Sequence, residues 1–217
     1  NKAGVILGGM FGITLMLWIC IQFYIFPVNF MSTSYFIFGF CQAATGYAAW
    51  VFEKQEAFRV DIHDYPHIGT NHEKLVVFFS RMGYVKKVAY EEAERTGAEI
   101  YEIRAAERTE GTLGFWWCGR YGTHRWGMPI EPIKIALSDY KEVTICSPIW
   151  VFTLAAPVRS FCRQSAGKIR KVRYILVHHQ KSTYENAVKE MDTILGLSHT
   201  AFKSIQCKKG IYCERCD

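Results

Sequence analysis

Between Ala3 and Phe52 the chain has no Asp, Glu, Lys, Arg or His. Water-facing surfaces are built largely from those residues, so a charge-free stretch of this length excludes an ordinary solvated domain there. Internal repeats and low-complexity tracts are also lacking, which excludes a solenoid or a disordered array. No nucleophile, base and orienting partner stand in a recognisable pattern, and no phosphotransfer motif is present. Hydrolase and kinase chemistry therefore find no support in the residues.

What the front of the chain does contain is two apolar runs, Gly4 to Phe26, broken by Pro27, and Tyr35 to Phe52. At about 1.5 Å per residue, runs of roughly 18–23 residues reach about 27–35 Å, enough for a hydrocarbon core near 30 Å. The expectation is a transmembrane hairpin over residues 1–52, with small residues such as Gly8, Gly9, Gly12, Ala43, Gly46 and Ala49 suited to close helix contact. Lys2 precedes the first run and Lys54 and Arg59 follow the second. The positive-inside rule then places a multi-pass protein in the cell membrane with its polar domain in the cytoplasm. Residues 53–73 read as a polar juxtamembrane linker, whose His63, His67 and His72 match no compact metal spacing. Most of the eight cysteines fall in apolar runs and read as buried reduced thiols. The net charge of +6 gathers partly at Lys168, Arg170, Lys171 and Arg173.

Residues 74–217 read as one α/β domain. Lys74 to Val85, KLVVFFSRMGYV, is a strand and a tight turn, and KKVAYEEAERTGA continues as a helix. Further strands are expected at 98–103, 142–149, 173–178 and 202–207, with helices at 155–164 and 183–195 and an irregular stretch from Arg104 to Ser138. Alternating strands and helices imply a parallel sheet. Backbone N–H groups at the first turn converge on an anion, and Gly83 permits positive φ and close approach.

Three segments resemble the flavodoxin family: KLVVFFSRMGYVKKVA, DYKEVTICSPIWVFTLAAPVRSFC and YILVHHQKSTYENAVKEM. The resemblance implies a five-stranded parallel sheet in the order 2-1-3-4-5 with FMN beside strands one and three. It assigns FMN binding to Ser80, Arg81, Met82, Gly83, Tyr84 and Val85, to Ser147, Pro148, Ile149, Trp150, Val151, Phe152 and Thr153, and to His178, His179, Gln180 and Ser182. The cradle departs from the family pattern at Met82 and Val85, where hydroxyls are usual. Two lost hydrogen bonds would weaken binding roughly 10²-fold or more. For His178 and His179 the alternatives are an ordinary loop pair or proton delivery to the flavin.

Gly111 to Pro132 is strongly aromatic, suggesting a lid or docking surface for a redox protein or quinone, or packing on the sheet or membrane interface. Nucleic acid is not expected as a partner. The tail, with Cys207, Cys213 and Cys216, is half a zinc motif at most, and no metal is expected. About ten residues follow the last expected strand, so the hairpin, the aromatic loop or a partner would have to cover one sheet face. The expected function is membrane-anchored electron transfer through FMN, as an oxidoreductase or carrier. The alternative is a flavin-free accessory subunit of a membrane complex.

Overall fold

The computed structural model describes residues 2–208 and 210–215. They divide into two compact units, residues 1–57 and 58–217.

In the first unit, α1 (Lys2–Ile25) and α2 (Phe30–Glu56) run antiparallel, Gly9 facing Gly46 and Gly12 facing Gly39 and Ala43. A Cβ on Gly12 would stand 2.6 Å from the Ala43 nitrogen and 2.7 Å from the Gly39 oxygen, so only glycine allows this approach. Asn29 starts α2 by accepting the Ser32 N–H at 2.9 Å. Leu7, Phe11, Leu17, Ile37, Phe38 and Phe40 are exposed on the outer faces. Among the described residues one helix, Ala3–Ile25, is by length and composition able to cross a membrane, which corrects the expectation of two such spans. Ser32, Thr33, Ser34, Gln42 and Thr45 dilute the apolar content of α2, and its last turns take up the first residues assigned to the linker.

The second unit is built on β1 (Asn71–Phe78), α3 (Tyr84–Thr96), β2 (Ala98–Glu102), α4 (Gly111–Thr123), β3 (Glu142–Trp150), β4 (Thr153–Leu154), α5 (Ala156–Ser165), β5 (Val172–His178), α6 (Glu185–Leu195), β6 (Ala201–Lys208) and β7 (Ile211–Arg215). The sheet has seven strands, ordered β2-β1-β3-β5-β6-β7, with β4 paired to β3. Strands β2, β1, β3, β5 and β6 are mutually parallel, while β4 and β7 are antiparallel additions. The expected five-stranded sheet is thus corrected to seven. Pairing of Ile211 to Arg215 on the edge of β6 supplies a strand where the tail was expected to carry no element.

Both sheet faces are covered, which is why β1 reads as a continuous apolar run rather than an alternation. Leu75, Val77 and Phe79 join Val143, Ile145 and Leu176 in the cluster that includes α5 and α6 residues. Val76 and Phe78 join Cys146, Ile175 and Val177 against Val85, Val88, Ala89 and Ala93 of α3. Glu92 is buried on α3 and is answered by Arg95 at 2.6 Å and Arg173 at 3.1 Å. The stretch expected to be irregular contains α4, whose glycines hide its helical character. Gly114 is required there, since a Cβ would lie 2.5 Å from the Thr109 oxygen.

Candidate functional site

Phe78 of β1 pairs with Cys146 of β3, and Val177 of β5 pairs with Pro148. The turns after β1, β3 and β5 therefore stand side by side at one edge of the sheet. The chain leaves β1 for β2 on one side and later returns to β3 on the other, so this edge is a topological switch point.

After β1, Phe79 is buried with its ring edge-on to Trp150, centroids 5.4 Å apart. The Ser80 hydroxyl is buried and, like that of Ser165 on α5, has no hydrogen-bond partner among the described residues. A buried unpaired hydroxyl costs on the order of 1–3 kcal/mol. Arg81 donates from Nε to the Thr109 carbonyl at 2.6 Å and from a terminal nitrogen to the Gly111 carbonyl at 2.8 Å. Its guanidinium lies 5.4 Å from the Phe115 ring centroid, so this side chain ties the turn to the start of α4. Gly83 caps α3 at φ +84 without a side-chain hydrogen bond. Val85 is buried in the α3 cluster, so its side chain serves the core rather than the turn.

Phe58 packs on this turn. A Cβ on Gly83 would stand 2.5 Å from the Phe58 Cβ and 2.8 Å from its carbonyl oxygen. The Phe58 ring lies 3.9 Å from Tyr84 and edge-on to Tyr212 at 6.4 Å. Tyr212 in turn donates to the Tyr84 carbonyl at 3.1 Å. Burial, followed by the nearby Cys207, pushes the Tyr84 phenol above its ordinary pKa.

After β3 the chain turns back tightly. Ile149 pairs with Leu154 and Trp150 with Thr153, leaving Val151 and Phe152 as the two turn residues at φ +48 and +61. Both are in the left-handed region, which favours Gly or Asn and costs a β-branched or bulky residue roughly 1–2 kcal/mol each. Phe152 is 60% exposed at the tip, and Ser147 is buried, donating to the Pro148 carbonyl at 2.9 Å.

Arg159 holds this hairpin. It is 1% exposed on α5 and gives Nε to Glu190 at 2.5 Å, one terminal nitrogen to Thr153 Oγ1 at 3.0 Å and the other to the Trp126 carbonyl at 2.9 Å. Arg159 is not among the residues that the sequence marks for the site. Its signal was a cation in an otherwise apolar run, with Glu190 available on α6. Phe58 was likewise missed, because nothing in a polar linker marks one aromatic as packed.

After β5, His178 is buried. Its Nδ1 faces the Gln180 carbonyl at 2.7 Å and its Nε2 faces Ser204 Oγ at 2.7 Å. Because a carbonyl only accepts, Nδ1 carries the proton. His179 Nδ1 contacts the Cys207 carbonyl at 3.1 Å, and Gln206 donates to the His179 carbonyl at 2.8 Å. These contacts tie both residues to the loop and to β6. Gln180 supplies its carbonyl, and Ser182 is exposed on the same loop. The structure thus brings residues 80–85, 147–153 and 178–182 to one edge, with Val85, Ser147 and His178 facing inward. Among the described residues no group of three or more His, Cys, Asp or Glu is placed to hold a metal ion. Cys216 lies outside the described residues.

Comparison with protein-family models and with curated proteins gives no match. Solved structures do match. A protein assigned as a flavoprotein from Bacteroides uniformis is 21% identical, with a TM-score of 0.55 over 65% of this chain and 94% of that one. One from Bacteroides eggerthii is 18% identical, with a TM-score of 0.55 over 64% and 92%. A flavoprotein from Lactobacillus acidophilus, crystallised with FMN, is 17% identical, with a TM-score of 0.50 over 62% and 93%. These likenesses establish the fold: the second unit is an α/β flavodoxin-like domain with a mostly parallel sheet.

Proposed function

We propose that the second unit binds FMN at the switch-point edge and transfers electrons, held at a membrane through α1. The observation that carries the cofactor reading is the buried, unpartnered Ser80 hydroxyl at the turn between β1 and α3. A phosphate oxygen would satisfy it, together with the first-turn amides of α3. Gly83 shapes that turn, and Trp150 and Phe152 on the strained hairpin would flank a flat ring. The solved likenesses with flavoproteins add support by analogy of fold.

When bound, FMN supplies one- and two-electron chemistry, and the protein supplies orientation and environment. Ser80 would hold the phosphate end. Arg159 keeps the hairpin in register by fixing Thr153 and so positions Phe152. His178, with Nδ1 committed to the Gln180 carbonyl, fixes the third loop. α1 has the length and apolar composition of a membrane segment, and α2 packs along it through the glycine seam. The Thr33, Ser34 and Thr45 hydroxyls return hydrogen bonds to carbonyls four residues back at 2.9, 2.9 and 2.8 Å, which lowers the cost of placing α2 in an apolar medium. Lys54 in the last turn of α2 and Arg59 just after it support placing the domain on the cytoplasmic side.

The test is titration of FMN into detergent-purified full-length protein stripped of bound cofactor, with quenching of flavin fluorescence as the signal. Saturable binding weakened by Ser80→Ala supports the assignment. Equal affinity of wild type and Ser80→Ala would remove Ser80 from the site.

One observation favours a second reading, in which the domain is a flavin-free accessory subunit of a membrane complex. Phe58 is packed against Gly83 where the cradle opens. Under that reading the wild-type protein takes up no FMN in the titration and Phe58→Ala gains uptake, whereas under the first the wild-type protein already binds.

A further inference from the structure

We propose that the outer face of α4 is a membrane-docking surface that seats on the headgroup layer of an anionic bilayer. It rests on the membrane reading of α1. Leu113, Trp116, Trp117 and Arg120 follow one another at helical spacing on one side of α4, with His124 continuing the line at the C-cap. Gly114, Cys118 and Gly122 lie on the other side and are buried. Leu113 is 71% and Trp116 70% exposed. A water-facing helix turns its polar residues outward, and this one turns out its largest apolar ones.

The chemistry of the face selects lipid. The Arg120 guanidinium lies 5.1 Å from the Trp117 ring centroid and 5.5 Å from that of Trp126, and His124 stacks on Trp126 at 4.4 Å. Trp117 and Tyr121 direct their polar hydrogens to Glu107. Indole rings interleaved with guanidinium suit the zone between hydrocarbon and headgroups, where flat amphipathic rings and cations are both stabilised. Arg120 supplies a fixed positive charge on the face itself, which fits phosphate headgroups. The buried side of α4 meets the hairpin, since a Cβ on Gly122 would touch Val151 Cγ2 at 3.0 Å, which leaves the Leu113 and Trp116 side facing outward. A chain anchored by α1 holds this face near a bilayer at high effective concentration, so weak docking suffices.

The test uses the full-length chain in vesicles of mixed phosphatidylcholine and phosphatidylglycerol. A photoreactive p-benzoylphenylalanine replaces Trp116, and in separate variants Leu113 or Lys189 on exposed α6 surface. All three positions face solvent, so the replacements spare the core. After irradiation, mass spectrometry is expected to find lipid adducts at positions 113 and 116 and none at 189. Adducts to a second copy of the chain, no adduct at 113 and 116, or equal lipid labelling at 189 would each overturn the proposal. A carbonate wash of the same vesicles keeps the readings separate: loss of the chain from the pellet refutes the α1 anchor, whereas a retained chain without lipid adducts refutes docking alone.

Discussion

Replacing Arg159 by Met tests how the hairpin is held. The guanidinium is almost wholly buried and its four short contacts reach Glu190, Thr153 and the Trp126 carbonyl, joining α5 to α6, β4 and the segment after α4. Met matches the aliphatic stem but leaves Glu190, only 26% exposed, without its partner. Removing one member of a buried pair costs about 3–5 kcal/mol, a large part of the roughly 5–15 kcal/mol that stabilises a domain. For a domain of this size that converts to a fall of about 6–20 °C in thermal midpoint. The assay is thermal unfolding of the full-length chain in detergent, followed by tryptophan fluorescence. The double variant Arg159→Met with Glu190→Leu removes the stranded charge and should recover more than half of the loss. A single variant costing less than about 1 kcal/mol, within the range of an exposed pair, would refute the clamp, as would a double variant no better than the single.

Four other outcomes follow from particular residues. Ser80→Ala should leave stability unchanged or raise it while weakening FMN about ten- to hundredfold in a fluorescence titration, because one charge-assisted hydrogen bond is lost and an unpaired hydroxyl removed. Gly83→Val places a branched side chain at φ +84 against Phe58 and should empty the site of flavin while the domain stays folded by circular dichroism; unchanged flavin content would contradict the cradle. Replacing Val151 and Phe152 by Asn and Gly should relieve roughly 1–2 kcal/mol per residue and raise the thermal midpoint, yet weaken FMN by removing the exposed ring. Hydrogen bonds from His72 and Tyr140 hold the Glu99 carboxyl below its ordinary pKa. A depressed folded-state value contributes stability that is present above about pH 4.3 and lost as pH falls through the folded value, so Tyr140→Phe should flatten the acid limb of a stability-against-pH curve.

Local patterns carried much of this molecule. Continuous burial of Leu75 to Phe79 made β1 readable, and the apolar positions of 187–195 gave α6. The Gly83 turn was legible because only glycine suits φ +84 there. What escaped depends on contacts distant in sequence. α4 was hidden because glycines at 111, 114, 119 and 122 are poor helix formers, and tertiary contacts, such as Gly114 on Thr109, override that preference. β4 requires a reversal at Val151 and Phe152 that no turn rule signals. β7 exists only because β6 offers an open edge. Val85, counted as a lost hydroxyl, is a core residue, and Phe58 shows its importance only when the turn is seen beneath it.

The most direct measurement is the visible absorption spectrum of the full-length protein purified in detergent, with acid release and identification of the bound molecule. FMN binding at the switch-point edge requires flavin bands and about one FMN per chain, reduced in Ser80→Ala and absent in Gly83→Val. A colourless wild-type protein that remains empty after addition of FMN would contradict it.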